Sequence, residues 1–417
     1  GTDDTFRIEA RAAADGALQY SLTSDYSLPP HGWVPPFGIA LTPKNRLYYP
    51  GAGGTIYFRD TPDASSGASG QLAFYGAAQY QSDPATFNSN VKISTPITAD
   101  RYGNIFFGFQ VLGSNPAGLE SGIARIGEDG VGTWIAAHTI ANDSSVTEVV
   151  QNCAPALSND QKKIYFAVSF SSYGGGYLVA VDSRTLAPLA KVHLHDALNP
   201  GNEVILPDDG SATPTIGPDG DVYFGVLENP YYSNNLRGYL LHFDSTLTQN
   251  KIPGGFGWDD TASIVPAALV PSYTGTSSYL LLTKYNNYAG DGGDGVNKLA
   301  VLDPNASMAS AINGATVMKE VLTVASPTPD SEYPGVPGAV REWCINTAAI
   351  DPATKSTLAS CEDGKLYRWD FSTNSLTEVM TLTDGTGEAY TPTMIGVDGT
   401  VYSIANGILF AIGAAQP

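Results

Sequence analysis

The sequence predicts an all-β chain folded as a seven-bladed β-propeller of four-stranded antiparallel blades. Three observations lead there. Turn residues are abundant, with 45 Gly and 28 Pro, and no long helix-forming stretch separates them. Aromatic residues are frequent, with 23 Tyr and 15 Phe, and they fall in short apolar runs. Seven segments share one outline: a small or polar residue, often Thr-Pro, then an apolar strand, a turn and an aromatic-rich strand.

The clearest segment is Thr213-Pro214-Thr215-Ile216, a turn at Gly217-Pro218-Asp219-Gly220, then Val222-Tyr223-Phe224-Gly225. Thr95-Pro96-Ile97 precedes Ile105-Phe106-Phe107-Gly108, and Ala154-Pro155-Ala156 precedes Ile164-Tyr165-Phe166-Ala167. Thr391-Pro392-Thr393 leads through Asp398-Gly399 to Val401-Tyr402, and weaker copies begin near Ala40, Pro266 and Thr347. A third strand follows in each unit and ends in Asp or a substitute: Tyr177–Asp182, Tyr239–Asp244, Lys298–Asp303 and Lys365–Asp370. A carboxylate at such a turn accepts backbone N–H groups, so these acids read as scaffolding. Fourth strands are expected at Ala187–His193 and Ser375–Leu382. Units recur about every 45 to 60 residues, with one interval near 80 holding an insertion. The last segment, Gly407–Ala414, lacks a fourth strand. Residues 15–24 read as a fourth strand without a unit, so the N-terminal strand is expected to complete the C-terminal blade. Residues 1–417 are therefore expected to form one domain.

The repeat resembles the pyrroloquinoline-quinone (PQQ) repeat of the quinoprotein alcohol dehydrogenase-like propellers. The matching residues are the Thr-Pro and Ala-Pro openings, the Asp-Gly turn before Val/Ile-Tyr-Phe, and Gly-Tyr-Leu-x-x-x-Asp in the third strand. The resemblance implies the propeller fold, and in its enzymes a bound quinone. Here Tyr20, Ala190 and Ile252 stand about where those enzymes carry a fourth-strand tryptophan, and no adjacent Cys-Cys pair occurs. PQQ is therefore not the expected cofactor.

Charge excludes further classes. Lys and Arg total 21 against 41 Asp and Glu, a net charge of −20, which repels nucleic acid. No run approaches the ~18 apolar residues of a membrane span. The acidity and the many Asn, Ser, Thr and Tyr residues point to a periplasmic or secreted monomer. Of three cysteines, Cys344 and Cys361 are expected to face each other on paired strands. They form either a disulfide, worth about 3 kcal/mol, or two buried free thiols.

Loop lengths locate the site. The turns joining first to second and third to fourth strands are tight. The extra length falls in the other set, at 112–121, 169–176, 228–238, 285–296, 26–36, 80–92, 195–211 and 326–342. Binding groups sit on irregular loops held by rigid scaffolds, so the long-loop face at the central channel is the expected site. Its candidate ligand-binding residues are Trp33, Lys92, Glu148, Asn152, Asp208, Asp209, Trp258, Asp259, Asp260, Arg341, Glu342, Trp343, Glu388 and Tyr390. Converging carboxylates suit a hard cation such as Ca²⁺, placed here on Asp259 and Asp260. Aromatic rings beside Asn and Asp suit a glycan, another small molecule or a protein partner. The leading expectation is a ligand- or protein-binding scaffold. The alternative is an enzyme, either a divergent PQQ-dependent dehydrogenase or a carbohydrate-active lyase or hydrolase.

Overall fold

A computed structural model describes residues 5–30, 35–208, 210–387 and 392–413. The chain is all-β with a few short helices, and its sheets are those of a seven-bladed β-propeller. Four-stranded antiparallel order is clearest in the blade of Ala40–Leu41, Arg46–Pro50, Thr55–Asp60 and Ser69–Ala73. It recurs in the blade of Ser263–Pro266, Tyr279–Tyr285, Lys298–Ala309 and Thr316–Ala325, and in that of Ala349–Asp351, Ser356–Ser360, Lys365–Asp370 and Ser375–Thr381. By its internal contacts the chain divides into two compact units. One comprises Gly1–Leu194, Ile205–Ile216 and Thr246–Thr248; the other comprises His195–Val204, Gly217–Ser245 and Gln249–Pro417.

In the first unit the Thr-Pro opening has a clear purpose. Pro96 lacks an N–H, and the blade's first strand is split into Val91–Ile93 and Thr98–Ala99 around it. The Thr95 hydroxyl fills the gap in the ladder by accepting the Gly108 N–H at 2.8 Å. Gly108 is required there, because a Cβ would lie 2.7 Å from the Thr95 methyl and 2.9 Å from Val149 of the next blade. Strand Ile105–Val111 is buried through Phe109 on both sides of its pleat, since a neighbouring sheet covers each face. Phe74, Phe107 and Phe109 form the aromatic centre of this core, with Phe74 and Phe109 centroids 4.4 Å apart. The second unit has its own core, built on Leu280, Leu282, Val301, Trp343, Ile345 and Trp369.

The repeated aspartates close turns as expected. Asp182 accepts the N–H groups of Arg184 and Thr185, each at 2.9 Å, and Asp370 accepts those of Ser372 at 2.7 Å and Thr373 at 3.1 Å. Asp100 and Asp398 do the same in first-to-second strand turns.

Three features differ from the sequence expectation. Residues 80–92 are not a plain loop: they hold parts of two short helices, Ala77–Ser82 and Pro84–Asn90. Asp83 caps the second by accepting the Thr86 N–H at 3.1 Å, with Pro84 in the first turn. Secondly, Leu18–Ser24 pairs with Phe6–Arg11 in a hairpin of its own, while the last sheet contains Met394–Ile395, Val401–Ala405 and Ile408–Ile412. Side chains fix that hairpin on the first blade. Phe6 stacks on Phe37 at 4.6 Å, Ile8 packs with Leu47 and Tyr49, and Arg59 lies 4.1 Å over the Tyr20 ring.

The third difference is the disulfide. Cys153, Cys344 and Cys361 are all buried free thiols. The two segments meet where the Glu362 N–H donates to the Glu342 carbonyl at 2.9 Å. Cys361 Sγ instead donates to the Glu342 carbonyl at 3.3 Å and lies 3.3 Å from Ser326 Oγ. Burial pushes the Cys153 and Cys361 thiols up to about 12, which makes them poor nucleophiles. Ellman titration of non-reduced protein is expected to find almost no reactive thiol when folded and three after unfolding. A count of one in the unfolded chain would establish a bridge.

Candidate functional site

The site begins with one charge in an apolar strand. Tyr279–Tyr285 reads Tyr-Leu-Leu-Leu-Thr-Lys-Tyr and is buried at every position. It is an inner strand, pairing with Ser263–Pro266 on one side and with Lys298–Leu302 on the other. Lys284 therefore has its ammonium inside the protein, only 2% exposed, where an uncompensated charge is prohibitive. The segment before Ser263 supplies the counter-charge: Lys284 Nζ donates to Asp259 Oδ2 at 2.8 Å.

The backbone of that segment is fixed from several directions. Gly257 N–H donates to the Arg237 carbonyl at 2.9 Å, and the Asp260 N–H donates back to Gly257 at 3.2 Å. A side chain at 257 would meet the Tyr239 carbonyl at 2.5 Å, so only glycine permits the approach that carries Asp259 and Asp260 inward. Asn346 receives the Thr261 N–H on its carbonyl at 3.0 Å, and its side chain donates to the Asp259 carbonyl at 3.4 Å.

A second segment, 341–346, completes the cluster. The Asn286 side chain acts as a surrogate strand for Trp343, accepting its N–H at 3.2 Å and donating to its carbonyl at 3.3 Å. The Asn286 carbonyl in turn accepts Arg237 Nε at 2.7 Å. Arg341 reaches Asp330, Glu332 and Glu362 at 3.3–3.4 Å and donates to Ser331 Oγ at 2.6 Å. Glu342 stands between the two groups, within electrostatic range of Lys284, Asp259 and Glu362.

Burial and mutual repulsion set the protonation of these acids. Asp260 is 1% exposed, and burial, reinforced by the charge of Asp259, holds its pKa well above the usual carboxylate range despite Lys284. Burial and then the charge of Glu362 push Glu342 up to about 8. For Lys284, burial opposes the charge, but Asp259 and Asp260 outweigh it and hold the ammonium protonated. The Asp259–Lys284 ion pair is thus flanked by two carboxyls, Asp260 and Glu342, that burial biases toward the neutral form. Asp260 Oδ2 and the indole Nε1 atoms of Trp258 and Trp343 are buried without a hydrogen-bond partner. Native interiors seldom leave such atoms unpaired.

Of the residues singled out from sequence, Asp259, Asp260, Trp258, Arg341, Glu342 and Trp343 belong to this second unit. Trp343 is a fully buried core residue, and Arg341 is held by three carboxylates. The acid pair expected to hold Ca²⁺ does not fit that role, since Lys284 already sits on Asp259. Among the described residues no group of three or more His, Cys, Asp or Glu is placed to hold a metal ion. In the first unit, Lys92 donates to Ser27 Oγ at 2.5 Å and to the Asn88 carbonyl at 2.7 Å. Glu148 accepts from Gln110 at 2.6 Å, and burial raises its pKa. Asn152 adopts φ +61° and donates its N–H to the Ser94 carbonyl at 2.9 Å. Trp33, Asp209, Glu388 and Tyr390 lie outside the described residues. Sequence reading missed Lys284 and Asn286. A lone lysine inside an apolar strand was the available signal.

No protein-family model matches the chain, and no curated protein matches it in sequence. Solved structures do. A europium-containing methanol dehydrogenase is 8% identical, covering 96% of this chain and 80% of its own, with a TM-score of 0.55. The shared feature is the β-propeller fold. BamB from Moraxella catarrhalis is 12% identical over 95% of this chain and 88% of its own, with a TM-score of 0.48. A chain of the mitotic checkpoint complex is 13% identical over 89% and 84%, also at 0.48.

Two outcomes follow from the cluster. Replacing Lys284 with Met strands the Asp259 carboxylate and is expected to lower stability by about 3–5 kcal/mol in urea unfolding. For Glu342 the folded pKa lies above the unfolded value of 4.5, so the folded state holds its proton more tightly. Its contribution is full below about pH 4.5 and is lost as pH rises toward 8. Stability measured across that range is expected to fall less steeply in Glu342→Gln than in the parent.

Proposed function

We propose that this protein is a ligand-binding scaffold of the periplasm or cell exterior, with its recognition centre at the Asp259–Asp260–Lys284 cluster. The observation that carries the reading is the buried, unpartnered Oδ2 of Asp260 beside a desolvated ion pair. A polar atom in that state costs stability until a hydrogen-bond donor reaches it. Trp258 and Trp343 add buried indole donors in the same unit. A carboxyl biased toward its neutral form can donate or accept, so with the indole donors it suits a small hydroxyl- or amine-bearing molecule better than an apolar one. The acidity and the many Asn, Ser, Thr and Tyr residues support the extracytoplasmic placement, to which the three free thiols add nothing.

Thermal unfolding with a panel of neutral sugars, polyols and small amines tests this reading. A ligand present far above its Kd is expected to raise Tm by several degrees. The rise should vanish in Asp260→Ala while circular dichroism shows the fold retained. No shift across the panel, or a shift undiminished in Asp260→Ala, would remove the site from this cluster.

A further inference from the structure

The first unit contains a cleft of about 680 Å³ that plays no part in the acid–lysine cluster. It opens between the end of the outer strand Ser69–Ala73 and the outer strand Gly132–Ala136 of the following blade. Tyr75 and Trp134, both part-exposed, supply its aromatic surface, while the Phe74 ring beneath them is buried in the core. These rings are immobilised: Tyr75 stacks on Phe87 at 4.6 Å, and Trp134 meets Phe109 edge-on at 5.9 Å. Gly132 brings the two blades together at the floor, where a Cβ would collide with the Phe74 carbonyl at 2.1 Å.

The chemistry of the lining is one-sided. No lining residue is charged, although the chain carries 41 acidic and 21 basic residues. The Tyr75 hydroxyl is already committed to the Gly53 carbonyl at 2.6 Å, which leaves the Gln79 amide and the Trp134 indole N–H as the polar side-chain groups able to orient a guest. Preformed clefts of this size, with aromatic walls and few polar side chains, are the usual form of small-molecule sites. A net charge of −20 disfavours anions, and the uncharged wall offers a cation no counter-charge.

We infer that this cleft is a second binding site, for a neutral, ring-bearing apolar small molecule. The guest lies against the Tyr75 and Trp134 rings, with one polar end at Gln79.

Titration of the full chain with the neutral dye Nile red tests the inference. Saturable binding of about one dye per chain is expected, with at least a tenfold loss of affinity in Ala77→Trp, which fills the mouth. Ala77 is exposed, so that substitution leaves folding unaffected; Ala117→Trp fills the opposite wall as a second variant. Asp260→Ala should bind the dye like the parent, which separates this site from the acid–lysine cluster. Affinity unchanged in both filling variants, or absence of saturable binding, would overturn the inference.

Discussion

The blades depend on carboxylates that close their turns. Between short strands the chain must reverse within four or five residues, and the reversal leaves backbone N–H groups without ladder partners. Asp100, Asp160, Asp182, Asp370 and Asp398 supply an acceptor at each such place. Much of the chain's acidity is thereby assigned a structural task. The surplus of acid over base is a property of how tight antiparallel turns are made, before any ligand is considered.

These turn acids and the buried acids respond to pH in opposite directions. Hydrogen bonds from Ser145 and Tyr177 bring Asp143 down to about 2, and those around Asp160 and Asp398 likewise lower their pKa. Their contribution is present above the ordinary carboxylate range and fades as the solution becomes strongly acidic. Asp260, Glu342 and Glu362 are raised by burial and favour the folded state on the acid side. One residue type thus serves two opposed ends, chosen by whether N–H groups or apolar atoms surround it.

The repeat made the fold legible, because a motif such as Thr-Pro followed by Phe-Phe-Gly records a ladder gap and a close approach that each blade must solve locally. The third strands ending at Asp182 and Asp370 were readable for the same reason. What was hidden depended on distant packing. Cys344 and Cys361 sit on neighbouring segments, yet the Cys361 thiol is turned to the Glu342 carbonyl and to Ser326. The N-terminal strand alternates like a blade strand, but Phe6 and Tyr20 bind it to the first blade. Asp259 and Asp260 were visible as an acid pair. Their partner lay about 25 residues on, inside an apolar strand, and only the fold shows that one lysine converts a would-be cation site into an ion pair.

That pairing is lopsided: two acids act on one lysine, and Asp259 carries the direct contact at 2.8 Å. Removing the lysine strands two buried carboxyls at once, whereas removing either acid leaves the lysine the other.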